Sequence, residues 1–183
     1  MVLVGYYSMK EKNMAYMTIE DVKEYYEVLS KEFENIEYDG YVNIRLNLSY
    51  RSLLRLEIGE YMMYLIAADG QLTESELRMF NTITSCNYDM DELIAYIREN
   101  NIYSTSFETT VPISMEIAVK QQLNGIPGTE YTYPELVYSL FEYVGKLMTE
   151  VDGEVTHTER RDYRIYLNML DSYLNDMGFT CNY

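Results

Sequence analysis

The chain has 183 residues, enough to bury a sizeable core within one domain or two intimately packed halves. Hydrophobic residues make up 48% and charged residues 24%, ordinary globular usage that argues against wholesale disorder. The formal charge of −16, from 30 acidic and 14 basic residues, argues against direct binding of nucleic acid, which requires clustered Lys and Arg to displace counterions. It suits solubility, a divalent cation or a basic protein surface instead.

Cys86 and Cys181 are too few for a disulfide framework, so a reducing compartment is expected. Residues 1–7 are apolar but too short for a signal core. No stretch approaches the ~20 apolar residues that span a bilayer. The expectation is a cytoplasmic protein with no membrane partner. The 21 tyrosines and 12 methionines, with no tryptophan, are read first as core packing.

Residues 1–17 show no clean period and read as a docked arm or a short strand. Thr18 and Asp21 form a capping-box variant that opens a helix over about 19–37, with Val22, Tyr25, Tyr26, Leu29 and Phe33 on one face. After Asp39-Gly40, the alternation of Val42, Ile44, Leu46 and Leu48 has a strand period. With no second strand in view, an extended linker or an irregular helix start is expected. From Tyr50 the pattern is helical through Leu53, Leu54, Ile58, Tyr61, Met62, Leu65 and Ile66, apolar on most sides near its end. This is the expected central helix, and Asp69-Gly70 stops it.

Thr73 and Glu76 make the next capping box, followed by a helix carrying Leu77, Phe80 and Ile83 and broken at Ser85-Cys86-Asn87. Asp89 caps a helix through Leu93, Ile94, Tyr96 and Ile97, ending at Asn100-Asn101. Residues 104–110 read as a polar loop, and a helix runs from Pro112 or Ile113 to Leu123. Asn124-Gly125-Ile126-Pro127-Gly128 is the strongest breaker and the expected join between halves. A helix opening at Thr132-Tyr133-Pro134-Glu135 runs into Asp152-Gly153. After a box of Thr156 and Glu159, the last helix presents Tyr163, Tyr166, Leu167, Leu170, Tyr173 and Leu174 and ends at Gly178.

One stretch occurs twice. Asp69-Gly70-Gln71-Leu72-Thr73-Glu74-Ser75-Glu76 and Asp152-Gly153-Glu154-Val155-Thr156-His157-Thr158-Glu159 share the pattern Asp-Gly-x-[Leu/Val]-Thr-x-x-Glu. Glycine supplies the positive φ that ends one helix, Thr caps the next, and Leu72 or Val155 can pin the turn to the core. The spacing matches the latter half of a calcium loop. The oxygen ligands of its first half are missing, with Leu65 and Ala67 in one copy and Met148 and Glu150 in the other, so an EF-hand is rejected.

The apolar helix ending in Ala68-Asp69-Gly70, followed by Thr73-Glu74-Ser75-Glu76, resembles the signature of the tellurite-resistance TerB-like family. The second copy resembles that fold's degenerate second repeat. The resemblance spans about 53–177, and Val151 stands where the motif prefers Ala. It implies an all-α helical bundle of two pseudo-repeated halves, about 51–124 and 130–178, within a TerB-like domain at 51–183. Residues 1–50 would be an N-terminal arm and an extra helix. The family is associated with bacterial stress and phage-defence systems and with divalent metal at its acidic turns. Carried over by position, this implicates Asp69, Glu76, Asp152 and Glu159 as ligands for Ca²⁺ or Mg²⁺. Capping alone also accounts for both glutamates.

His157 is the sole histidine and is expected to be an exposed first-turn residue rather than a general base. No phosphate loop, dinucleotide fingerprint or zinc pattern is present in the sequence, so an enzyme is the least supported class. The leading reading is a non-catalytic cytoplasmic interaction module of a stress or defence system, acting on a protein partner. The alternative is an acidic immunity or inhibitor protein that blocks a basic toxin or nuclease by charge mimicry.

Overall fold

A computed structural model describes residues 17–102, 105–124, 131–153 and 156–179, and among them it contains seven α-helices, one 3-10 turn and no strand. The helices are α1 (Ile19–Asp39), α2 (Tyr50–Asp69), α3 (Glu74–Thr84), α4 (Met90–Glu99), α5 (Ile113–Leu123), α6 (Tyr133–Glu150) and α7 (His157–Asp176). The 3-10 turn, Thr105–Glu108, lies within the stretch expected to be loop. The arm at 1–16 and the breaker at 125–128 lie outside the described residues.

Five of the seven described helices start by one device. In α1 the Asp21 amide donates to Thr18 Oγ1 at 3.2 Å while the Thr18 amide donates to Asp21 Oδ2 at 3.0 Å, so two otherwise free groups satisfy each other. The same reciprocal box opens α3, α4, α6 and α7. Gly40, at φ 68°, ends α1 in the left-handed region that a side chain would disfavour.

The alternating segment after α1 forms no sheet. Buried Tyr50 organises it: its hydroxyl donates to Val42 O at 2.9 Å and accepts from the Ile44 amide at 3.1 Å. A phenol thus supplies hydrogen bonds that a partner strand would otherwise provide.

α2 lies at the centre, packed against α1, α3, α5, α6 and α7, and α6 also packs against α1, α5 and α7. After the repeated turns, α3 lies along α2 and α1, whereas α7 lies along α6 and α2. α1 shares the common core through Val22, Tyr25, Leu29, Phe33 and Ile36. The Tyr25 hydroxyl donates to Leu136 O of α6 at 2.8 Å, and its ring meets Tyr143 edge-on at 5.6 Å. No helix of the described residues is long and apolar enough to cross a membrane.

Where α2, α6 and α7 meet, the Tyr61 ring stacks on Tyr166 with centroids 4.4 Å apart and meets Phe141 edge-on at 5.4 Å. Gly145 of α6 makes room, since a Cβ there would overlap both Tyr61 Oη and the Tyr163 ring. Tyr61 Oη is itself enclosed with no hydrogen-bond partner among the described residues. Gly145→Ala is therefore expected to cost about 1–3 kcal/mol of stability through overpacking. Tyr61→Phe, which deletes an unpaired buried hydroxyl, is expected to be near neutral or stabilising. In a urea double-mutant cycle, Tyr61→Phe should reduce the cost of Gly145→Ala, and strict additivity would show that the two do not press on each other.

Candidate functional site

The two repeated turns are built alike where they enter the next helix. Gly70 and Gly153 take φ values of 77° and 83°, the reversal that glycine makes without strain. The amides of Thr73 and Glu76 pair with Glu76 Oε2 and Thr73 Oγ1 at 2.8 and 3.2 Å. Thr156 and Glu159 repeat the exchange at 2.9 and 3.2 Å. Glu76 and Glu159 are each only 4% exposed. Leu72 packs against the core, while Val155 and the Asp69 side chain lie outside the description. Asp152 and His157 are exposed, and among the described residues no three His, Cys, Asp or Glu side chains gather as a metal would require.

The capping boxes at Asp89–Glu92 and Thr132–Glu135 give both glutamates a context. Thr or Asp followed three residues later by an acid is this chain's general way of starting a helix. At the repeated turns the same pair does the same work.

α2 opens on Ser49 alone, and among the described helices α5 is the one with no capping side chain of its own. Its N-cap position is Pro112, which offers no side-chain acceptor, so the first amides of the helix need an oxygen from elsewhere. Glu57 of α2 supplies it, accepting from Ile113 N through Oε1 at 2.6 Å and from Ser114 N through Oε2 at 3.0 Å. The carboxylate also faces the positive end of the α5 dipole.

Beside this contact is a cavity of about 360 Å³, walled by Glu57 and Glu60 of α2, Phe107, Val111, Pro112 and Tyr166 of α7. Phe107 stacks on Tyr64 at 4.9 Å and lies 6.2 Å from Tyr166, forming an angled aromatic wall. Burial pushes the Glu57 carboxyl up to about 7, partly opposed by hydrogen bonds from Ser114 and Ile113, with the charge of Glu60 adding to the rise. Burial also raises Glu60. Tyr166 is held well above the usual phenol range by burial, then by the charges of Glu57 and Glu60. Tyr166 is 3% exposed and lines the cavity, and its hydroxyl makes no hydrogen bond to another described residue. A second cavity of about 360 Å³ lies against the first repeated turn, between Ile66, Leu72, Ile94 and Arg98.

The carboxylates at the cavity are thus Glu57 and Glu60, which the sequence reading did not single out. Their signal was present: two acids interrupt the apolar run of α2, and a distant helix begins without a cap of its own. No family model matches the chain, and no curated protein or solved structure matches it significantly.

The raised Glu57 carboxyl sets a pH dependence. Between about 4.5 and about 7 the folded state holds a proton that the unfolded chain has released. The stability this gives is complete below about 4.5 and is lost as the pH rises through about 7. In urea unfolding, wild type should lose roughly 1–3 kcal/mol relative to Glu57→Gln across that window. Parallel curves for the two proteins would show that this carboxylate is not desolvated.

Proposed function

We propose that the chain is a non-catalytic interaction module, TerB-like in organisation, that binds a basic protein segment within a bacterial stress or defence system. The supporting observation is the surface at the C-terminal end of α1. Tyr38 is 92% exposed and Tyr41 68% exposed, flanked by the exposed acids Glu37 and Asp39. Asn124, just beyond α5, donates through Nδ2 to Tyr41 O at 3.2 Å, which brings the exposed Leu123 to the same end. Glu32 and Asp39 lie close enough to Tyr133 for their charges to raise its phenol, after burial as the main cause.

Acids at this end of α1 oppose the helix dipole, and its last turn has no basic residue. Two tyrosine faces among carboxylates suit Lys and Arg side chains, through cation–π contacts and charge-assisted hydrogen bonds. The charge of −16 adds long-range attraction for such a partner.

Fluorescence anisotropy with a labelled arginine-rich peptide tests this reading. Binding should weaken as salt rises, and Tyr38→Ala/Tyr41→Ala should reduce affinity about tenfold, roughly 1.4 kcal/mol from two exposed cation–π contacts. A loss no greater than that of a distant control, Glu99→Ala, would reduce the interaction to bulk charge and sink the assignment of this surface.

A further inference from the structure

We infer that the cavity between α2, α5 and α7 is a binding site for a small organic amine, its ammonium group held by Glu57, Glu60 and the Tyr166 hydroxyl. The site lies at the N-terminal end of α5, and the surface assigned to a basic partner lies at its other end, so the two assignments stand or fall separately. α5 has 11 residues, which separates its ends by about 16 Å.

Three observations converge. The first is the phenol of Tyr166, almost wholly buried, lining the cavity and lacking a hydrogen-bond partner among the described residues. An entering donor or acceptor would pair with that hydroxyl. The second is the pair of carboxylates, three residues apart on one helix and both partly withdrawn from water. Like charges at that spacing repel, and a single positive charge between them relieves the repulsion. Glu57 is fixed in place by the Ile113 and Ser114 amides, so it is positioned before a ligand arrives.

The third is the character of the remaining wall. Beside the hydroxyl-bearing Thr110, the remaining wall is Phe107, Val111, Pro112 and Ile113, apolar and aromatic surface that suits the body of an organic cation. The volume of about 360 Å³ is near the lower end for ligand pockets, so the fitting molecule is small, with one ring or a short chain.

The test compares 2-phenylethylamine with its neutral counterpart 2-phenylethanol, following the backbone amides of the full chain by NMR. The amine should shift Ile113 and Ser114 saturably and bind at least about tenfold tighter than the alcohol, as a charge-assisted contact requires. Glu60→Gln and Tyr166→Phe, neither of which touches the α5 cap, should each weaken the amine about three- to tenfold while circular dichroism stays unchanged. Three results would overturn the inference: equal affinity for amine and alcohol, no shift of these amides at millimolar amine, or wild-type affinity in both variants.

Discussion

The close approach of α2 to α6 at Gly145 is the constraint on which the rest of the arrangement depends. Only a residue without a side chain leaves space there for Tyr61 and Tyr163. With that space, Tyr61 stacks on Tyr166 and draws α7 against α2. Glu57, Glu60, Tyr61 and Tyr64 recur at three- and four-residue spacing, so they share one face of α2. Tyr61 and Tyr64 use that face for aromatic packing, against Tyr166 and Phe107. Glu57 and Glu60 use the adjoining turn of the same face to line the cavity. Core packing and site geometry are therefore one problem, solved by the same helix face.

The capping of α5 explains why an acid belongs at that depth. A helix beginning at Ile113 after Pro112 has first-turn amides that its own N-cap side chain leaves unserved. Glu57 answers them across more than fifty residues of sequence. Two opposing effects then act on one group. The amides and the helix dipole favour the charged carboxylate, while withdrawal from water favours the neutral acid. Burial is the larger effect, and the group is left titrating near neutrality.

Most of the fold was legible in the sequence because the chain marks its helix ends with side-chain chemistry. Thr18 with Asp21, Thr73 with Glu76 and Thr156 with Glu159 open the helices that their spacing predicts. Gly40 and Gly70 close helices as glycine does. The segment from Val42 to Leu48 was harder, since its period is that of a strand. What decides it is a tertiary contact, the Tyr50 hydroxyl, which no local pattern reveals. The candidate site was hidden for the same reason. A search for repetition leads to Glu76 and Glu159, yet the cavity is lined by Glu57 and Glu60, acids that recur nowhere in the chain as a motif. Their significance appears only once α5 is seen to start without its own cap.

The placement of acid along the helices is not what stability alone would select. At helix starts the acids are favourable: Asp21, Glu76, Glu92, Glu135 and Glu159 accept N-cap backbone amides and lie at the positive end of the dipole. At helix ends they are not, yet α1, α4, α6 and α7 each finish on an exposed one: Asp39, Glu99, Glu150 and Asp176. Each opposes the dipole by about 0.3–1 kcal/mol where it is exposed, a cost repeated without structural return. A sequence shaped for stability alone would place Lys or Arg there. Keeping acid at these ends maintains a negative surface that the fold itself does not require. Under the proposed function, the exposed tyrosines beside Asp39 would favour a cation with an organic side chain over positive charge alone.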